Sequence, residues 1–316
     1  LRGVHFVDTK WDLDFADVHG RADFSERGFA ADRLSLQAGG QPAELGLAVG
    51  AFCADPAQQV EAHLRGVLST QALFGHHDEL ATLLAQTEGM APWTVQLAVA
   101  KSPIDGRAAG AEVRYASDLQ GIAVKFPAPL GKAAGDTLPL RLKVQLPPGE
   151  QAPKLQLDLD QIAHLYAEVG TRTEAFRGEL QFGTPQPVDL PSKGLRVSGQ
   201  AATLDLAGWA GWVYASADPA GEDSVLTDVD IRIGGAEPDR LRLDRSDGPW
   251  VLSVDGPSAK GSVRFESPAQ GPAAIVAQMT AEPRGIVRVS CPVALLSYQF
   301  GTLFARFMTD YPAVEV

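Results

Sequence analysis

Cysteine is almost absent. Cys53 and Cys291 are the only two in 316 residues. They lie far apart and match no zinc or redox spacing, so they read as unpaired thiols and no disulfide framework is expected. No run of eighteen or more apolar residues occurs, which excludes a membrane-spanning helix. The start lacks a charged-then-apolar signal, and a chain that begins at Leu1 reads as a fragment or a processed product. Positive charge is in short supply: 27 Lys and Arg face 39 Asp and Glu, for a net charge of −12. Affinity for phosphate backbones rests on basic contacts, so nucleic acid is not an expected partner. There is no P-loop, no G-x-G-x-x-G and no G-x-S-x-G, so no nucleotide site or serine nucleophile is marked and no cofactor is expected. Asparagine is missing while Ala, Gly and Arg abound, the composition of a GC-rich bacterial source.

What the chain does have is β alternation. From Leu138 to Leu146 every second residue is aliphatic: Leu138, Leu140, Leu142, Val144 and Leu146. Pro139, Arg141, Lys143 and Gln145 fall between them. Successive strand side chains point to opposite faces, so this segment has one greasy face and one wet face. Leu155, Leu157 and Leu159 repeat the pattern against Gln156, Asp158 and Asp160. So do Val113 and Tyr115; Ile122 and Val124; Trp93, Val95, Leu97 and Val99; and Leu45, Leu47 and Val49. Turns are expected at His19-Gly20, Gly39-Gly40 and through Pro127, Pro129 and Gly131. Further strands are expected at Val229–Ile233, Leu241–Leu243, Trp250–Val254 and Gly261–Phe265. Residues 53 to 92 break the pattern: Leu73, Phe74, Leu80, Leu83 and Leu84 have helical spacing, with Asp78 as cap and Gly89 as stop. A helix there would plug or lid the sheet. Ile162 to Tyr166 reads as a short helical turn. The expected fold class is therefore mainly β: an elongated antiparallel sheet with a short helical insert.

Each chemical candidate has a plainer reading beside it. Asp158/Asp160 and Asp228/Asp230 sit two apart, so each pair shares a strand face as acid–base chemistry would need. The wet face of any amphipathic strand gives the same spacing, and that reading is preferred. His76-His77 are adjacent and point apart on a helix, a poor chelating pair, and no metal site is expected. The five tryptophans (Trp11, Trp93, Trp209, Trp212 and Trp250) read as core anchors before an aromatic ligand platform.

The wording of the chain also carries a resemblance. SDLQGIAVKFPAPLGKAAGDTLPLRL, with Ser117, Asp118, Leu119, Gly121, Pro127, Pro129, Leu130, Lys132, Gly135, Pro139 and Leu140, resembles a signature of the large AsmA-like envelope proteins of the YhdP type. Arg177, Gly178, Gly183, Gly194, Leu195, Val197, Gly199, Leu204, Asp205 and Trp209 match a further part of that pattern, as does DGPWVLSVDGPSAKGSVRF. The likeness spans residues 1–266, with 267–280 as a junction. It implies an elongated β-groove that carries phospholipids between the inner and outer membranes, on the periplasmic side, without catalysis. The partners implied are phospholipid acyl chains and the envelope membranes, the latter through an N-terminal anchor that the family has and this sequence lacks. The groove wall would be Leu138, Leu140, Leu142, Val144, Leu146, Leu155, Leu157 and Leu159. Residues 281–316, PRGIVRVSCPVALLSYQFGTLFARFMTDYPAVEV within them, resemble the opening strand–helix–strand of the effector-binding domain of LysR-type regulators. That would make the C-terminal piece a truncated βαβ fragment from a regulator of small-molecule response, joined to the first, and too short to close an effector pocket at Ser290-Cys291-Pro292.

Overall fold

A computed structural model describes residues 1–8, 13–77, 80–102, 108–171, 174–205, 208–209, 226–234, 238–244, 250–257, 260–265, 285–286 and 314–315. The chain is mainly β. In order come β1 (Val4–Asp8), β2 (Leu13–Gly20), β3 (Asp23–Ser25), β4 (Gly28–Ala38), β5 (Gln41–Gly50), β6 (Gln58–Leu68), α1 (Thr70–Phe74), α2 (Ala81–Leu84), β7 (Thr87–Gly89), β8 (Ala91–Lys101), β9 (Ala108–Ser117), β10 (Ile122–Val124), β11 (Leu140–Leu146), β12 (Lys154–Leu159) and β13 (Ala163–Glu168). Then follow β14 (Arg177–Phe182), β15 (Gly194–Ala201), β16 (Leu226–Ile233), β17 (Asp239–Asp244), β18 (Trp250–Asp255), β19 (Lys260–Phe265), β20 (Gly285–Ile286) and β21 (Val314–Glu315). These fall into two compact units. One comprises Leu1–Lys125, Gly131–Asp160 and His164–Phe176; the other comprises Phe126–Leu130, Gln161–Ala163 and Arg177–Val316.

The first unit is an antiparallel meander in which β4, β5, β6, β8, β9, β11 and β12 each pair with the next. Gly39 and Gly40 turn β4 into β5 at φ 55° and 75°, the left-handed pair that a tight hairpin demands. The stretch from residue 53 to 92 departs from its helical expectation. Its first third is β6, one of the longest strands, because Val60, Ala62, Leu64 and Gly66 alternate with Glu61, His63 and Arg65. Among its described residues the α-helices are the short α1 and α2. The cap is Ser69, whose hydroxyl accepts from the Ala72 amide at 3.1 Å. Asp78 lies outside the described residues, and Gly89 belongs to β7 rather than stopping a helix. Ile162 to Tyr166 is not a helical turn either. β13 occupies it, with Ala163, His164 and Ala167 buried.

The second unit is mixed, which corrects the all-antiparallel expectation. β14, β15 and β16 run parallel, and β16 to β19 antiparallel. Parallel neighbours need a crossover. The Pro-punctuated residues 183–193 supply the one between β14 and β15. It is tied down by the Gln186 amide donating to Gln181 Oε1 at 2.9 Å and the Asp189 amide donating to Glu179 Oε2 at 3.4 Å. On the apolar face of this unit Phe182, Val197, Val229, Ile231, Leu241 and Leu243 are buried, and Leu180, Leu195 and Ile233 are half-buried. β20 and β21 form a separate parallel pair. The junction over 267–280, the helix expected between the two strands of 281–316, the Ser290-Cys291-Pro292 turn, Trp11 and Trp212 lie outside the described residues.

Candidate functional site

Residues directly opposed across a ladder share a face, so register alone draws the apolar side of the first unit. One row runs Leu34–Leu45–Leu64–Val95–Tyr115–Leu142–Leu157. The next runs Ala31–Leu47–Ala62–Leu97–Val113–Val144–Leu155. Beyond it lies Phe29–Val49–Val60–Val99–Ala111–Leu146. On the opposite flank Leu36–Ala43–Gly66–Trp93 form a fourth. No charged residue interrupts these rows. Spanning seven strands, the first two are about 29 Å long at ~4.8 Å per strand spacing.

The reverse face is charged along the same ladders. Arg141 opposes Asp158, Lys143 opposes Gln156, and Gln145 opposes Lys154. Glu112 sits among Arg114, Lys143 at 3.2 Å and Gln145 at 3.1 Å. Burial pushes its carboxyl up, but the Gln145 and Lys143 hydrogen bonds and the nearby cations outweigh it and hold the group below its ordinary value. The two faces differ as the alternation requires.

The sequence-derived wall residues take their places on the apolar face. Leu140 faces Leu159, Leu142 faces Leu157 and Val144 faces Leu155. Leu146 faces Ala111. Leu138 is set apart: it precedes β11 and is buried at 5% exposure. The others are half-buried. So are Leu45, Leu47, Val49, Val60, Ala62 and Leu64. Much of this face is therefore less buried than Phe182, Val197, Val229, Ile231, Leu241 and Leu243 of the second unit. The contribution of β6 was missed by reading for a helix, although its alternation against Gln59, Glu61, His63 and Arg65 was the available signal.

One flank is closed. α1 lies over the Leu36–Trp93 row, where Leu36, Ala43 and Trp93 are buried. The Phe74 ring meets Trp93 edge-on at 6.2 Å and Tyr115 at 4.9 Å. Trp93 donates its indole N–H to the Leu68 carbonyl at 3.1 Å, so it acts as an anchor. Desolvation pushes the Tyr115 hydroxyl above its ordinary pKa.

The other chemical candidates are engaged locally. Asp158 pairs with His164 Nδ1 at 2.7 Å, while Asp160 has left the strand at φ 49°, so the two carboxylates do not share a strand face. Asp228 and Asp230 lie on β16 beside cations: Arg196 is 3.6 Å from Asp228, and Arg240 is 2.5 Å from Asp230. The His76 and His77 rings are 4.1 Å apart, and among the described residues no group of three or more His, Cys, Asp or Glu could hold a metal.

Comparison with known proteins supplies the family. A family described as YhdP protein matches residues 2–280. The chain belongs to the YhdP family. Membership places it in the AsmA-like class of envelope proteins. The YhdP match ends at residue 280 and does not extend to the regulator-like piece. No curated protein and no solved structure matches this YhdP-family chain. Among its described residues no helix is long and apolar enough to cross a membrane.

Proposed function

We propose that the first unit binds phospholipid acyl chains along its apolar rows and passes them between envelope membranes, as a segment of a longer lipid conduit. The observation that carries this reading is the contrast between the two units. The second unit buries Phe182, Val197, Val229, Ile231, Leu241 and Leu243, whereas the first leaves Leu45, Leu47, Leu64, Val95, Leu97, Val113, Leu142, Val144, Leu155 and Leu157 half-exposed from β5 to β12. Each methylene taken from water contributes about 0.8 kcal/mol, so an acyl chain is held by shape and apolarity alone and no catalytic group is needed. A face ~29 Å long exceeds the ~15 Å depth of one leaflet's hydrocarbon, so a lipid has room to shift along the rows.

Native mass spectrometry of the chain purified from bacterial cells tests the reading. Co-purifying phospholipid, lost in Leu142→Asp, supports it, because a carboxylate in the middle of a row makes acyl burial costly. A folded, lipid-free, monodisperse chain would sink it. Residues 281–316 carry a separate reading as part of a regulator's effector domain. It is favoured by the parallel β20–β21 pair that a strand–helix–strand unit requires. A small-molecule effector that raises Tm would support it.

A further inference from the structure

The half-exposed strip of the first unit does not keep one width. On β5 and β6 three rows are open: Leu45 and Leu64, Leu47 and Ala62, Val49 and Val60. On β11 and β12 the aliphatic residues from Leu140 to Leu159 are again half-buried. Between these stretches, on β8 and β9, the strip narrows from one side, where Val99 and Ala111 are buried at 6% and 9% exposure; the other flank, closed by Ala43 on β5, stays closed at Trp93. Val95, Leu97, Val113 and Tyr115 stay open, and Phe74 from α1 reaches across the flank to within 4.9 Å of the Tyr115 ring.

From this geometry we infer that the Phe74–Tyr115 contact is a constriction that sets how many acyl chains pass side by side. The inference rests on the lipid reading above and adds a selectivity to it. Rows two residues apart along a strand are ~6.6 Å apart. Three open rows give a strip wide enough for several extended hydrocarbon chains. Two rows with Phe74 on one of them leave about the width of a pair. A two-chain glycerophospholipid fits through, and a four-chain lipid must leave chains outside. Because α1 is a short insert held by the Ser69 cap and by its packing, the width at β8–β9 is set by side chains that the sheet itself does not need.

The test offers the full chain vesicles of phosphatidylglycerol, with two acyl chains, or of cardiolipin, with four, and reads uptake by native mass spectrometry. Phosphatidylglycerol is expected to load at least tenfold more than cardiolipin. Phe74→Ala is expected to bring the ratio near one, and Phe74→Leu, which keeps much of the volume, to preserve most of it. Val113→Phe narrows the strip from the other row and should block both lipids while circular dichroism stays that of a folded β protein. Equal loading of both lipids by the unaltered chain, or an unchanged ratio in folded Phe74→Ala, overturns the constriction and leaves acyl binding standing. No uptake of either lipid by the unaltered chain removes both.

Discussion

Trp209 donates its indole N–H to the carbonyl of Ala128 at 2.8 Å, across 81 positions of sequence. Its ring stacks on Phe126 at 6.0 Å with the planes 12° apart. Both contacts lie within the second unit. Asp205 prepares them: its backbone amide donates to the same carbonyl at 3.2 Å, and its carboxylate accepts from the Gly208 amide at 2.8 Å. Trp209→Phe keeps the stack and removes the donor, so it should cost about 1 kcal/mol. Trp209→Ala loses both and should cost about 2 kcal/mol or more. Urea midpoints of the two variants check this. A Trp209→Phe midpoint equal to that of the unaltered chain would show that the indole N–H contributes nothing.

Asp230 carries the acid sensitivity of the second unit. The Arg240 hydrogen bond, with Arg242 beside it, holds its carboxyl below the ordinary 3.8. A depressed carboxylate contributes stability that is complete above the ordinary value and is lost as pH falls through the folded one. Asp230→Asn should therefore be less stable at neutral pH and should lose less on acidification below about pH 4. Urea midpoints at pH 7 and pH 3 check it; parallel shifts in both proteins would refute it.

Much of this was readable in the sequence, and the misses have physical causes. The Leu138–Leu146 alternation gave the strand and its two faces, because period two admits one reading. β6 was lost because its apolar positions include Ala62 and Gly66, too small to mark a face by hydrophobicity. The parallel β14–β15–β16 arrangement left no trace in the pattern, since alternation is the same in either direction. Whether a face stays open is a matter of what lies over it. Leu142 and Val229 alternate alike, yet one is half-buried and the other buried. Phe74 was seen as part of a plug, but that it meets Tyr115 depends on a register 41 positions away that no local spacing encodes.

Ser69 and Gly39 seat α1 on the sheet. Ser69→Ala removes the only side-chain cap of a five-residue helix and should cost about 1 kcal/mol. Gly39 has φ 55°, and a Cβ there would collide with Ala72 of α1. Gly39→Val combines a left-handed backbone that β-branched residues resist with that collision. It should cost more than the cap and should expose Trp93. A red shift of the native tryptophan emission in Gly39→Val, smaller in Ser69→Ala, is the expected result. A native spectrum in both would mean that α1 is held by other contacts.

Lys132 explains why the signature around it reads as it does. Its ammonium donates to three backbone carbonyls, those of Leu119 at 3.0 Å, Ile122 at 2.5 Å and Ala133 at 3.0 Å. Leu119 itself sits at φ 53°, with its amide donating to Ser117 Oγ at 3.0 Å and its side chain buried at 4%. The Leu138 amide then donates to the Asp118 carbonyl at 2.8 Å, which delivers the chain into β11. Ser117, Asp118, Leu119 and Lys132 thus encode the shape of one loop, and the loop fixes where the Leu140–Leu146 face begins. Lys132→Met keeps the stem and removes the donors, at about 2 kcal/mol. Lys132→Arg keeps the charge, but a planar fork cannot aim at three carbonyls around one point, so it should rescue less than half of that. Limited proteolysis should cut Lys132→Met between Asp118 and Leu138 before any other site in the first unit. Full rescue by Arg would show that charge, rather than the three-way geometry, holds the loop.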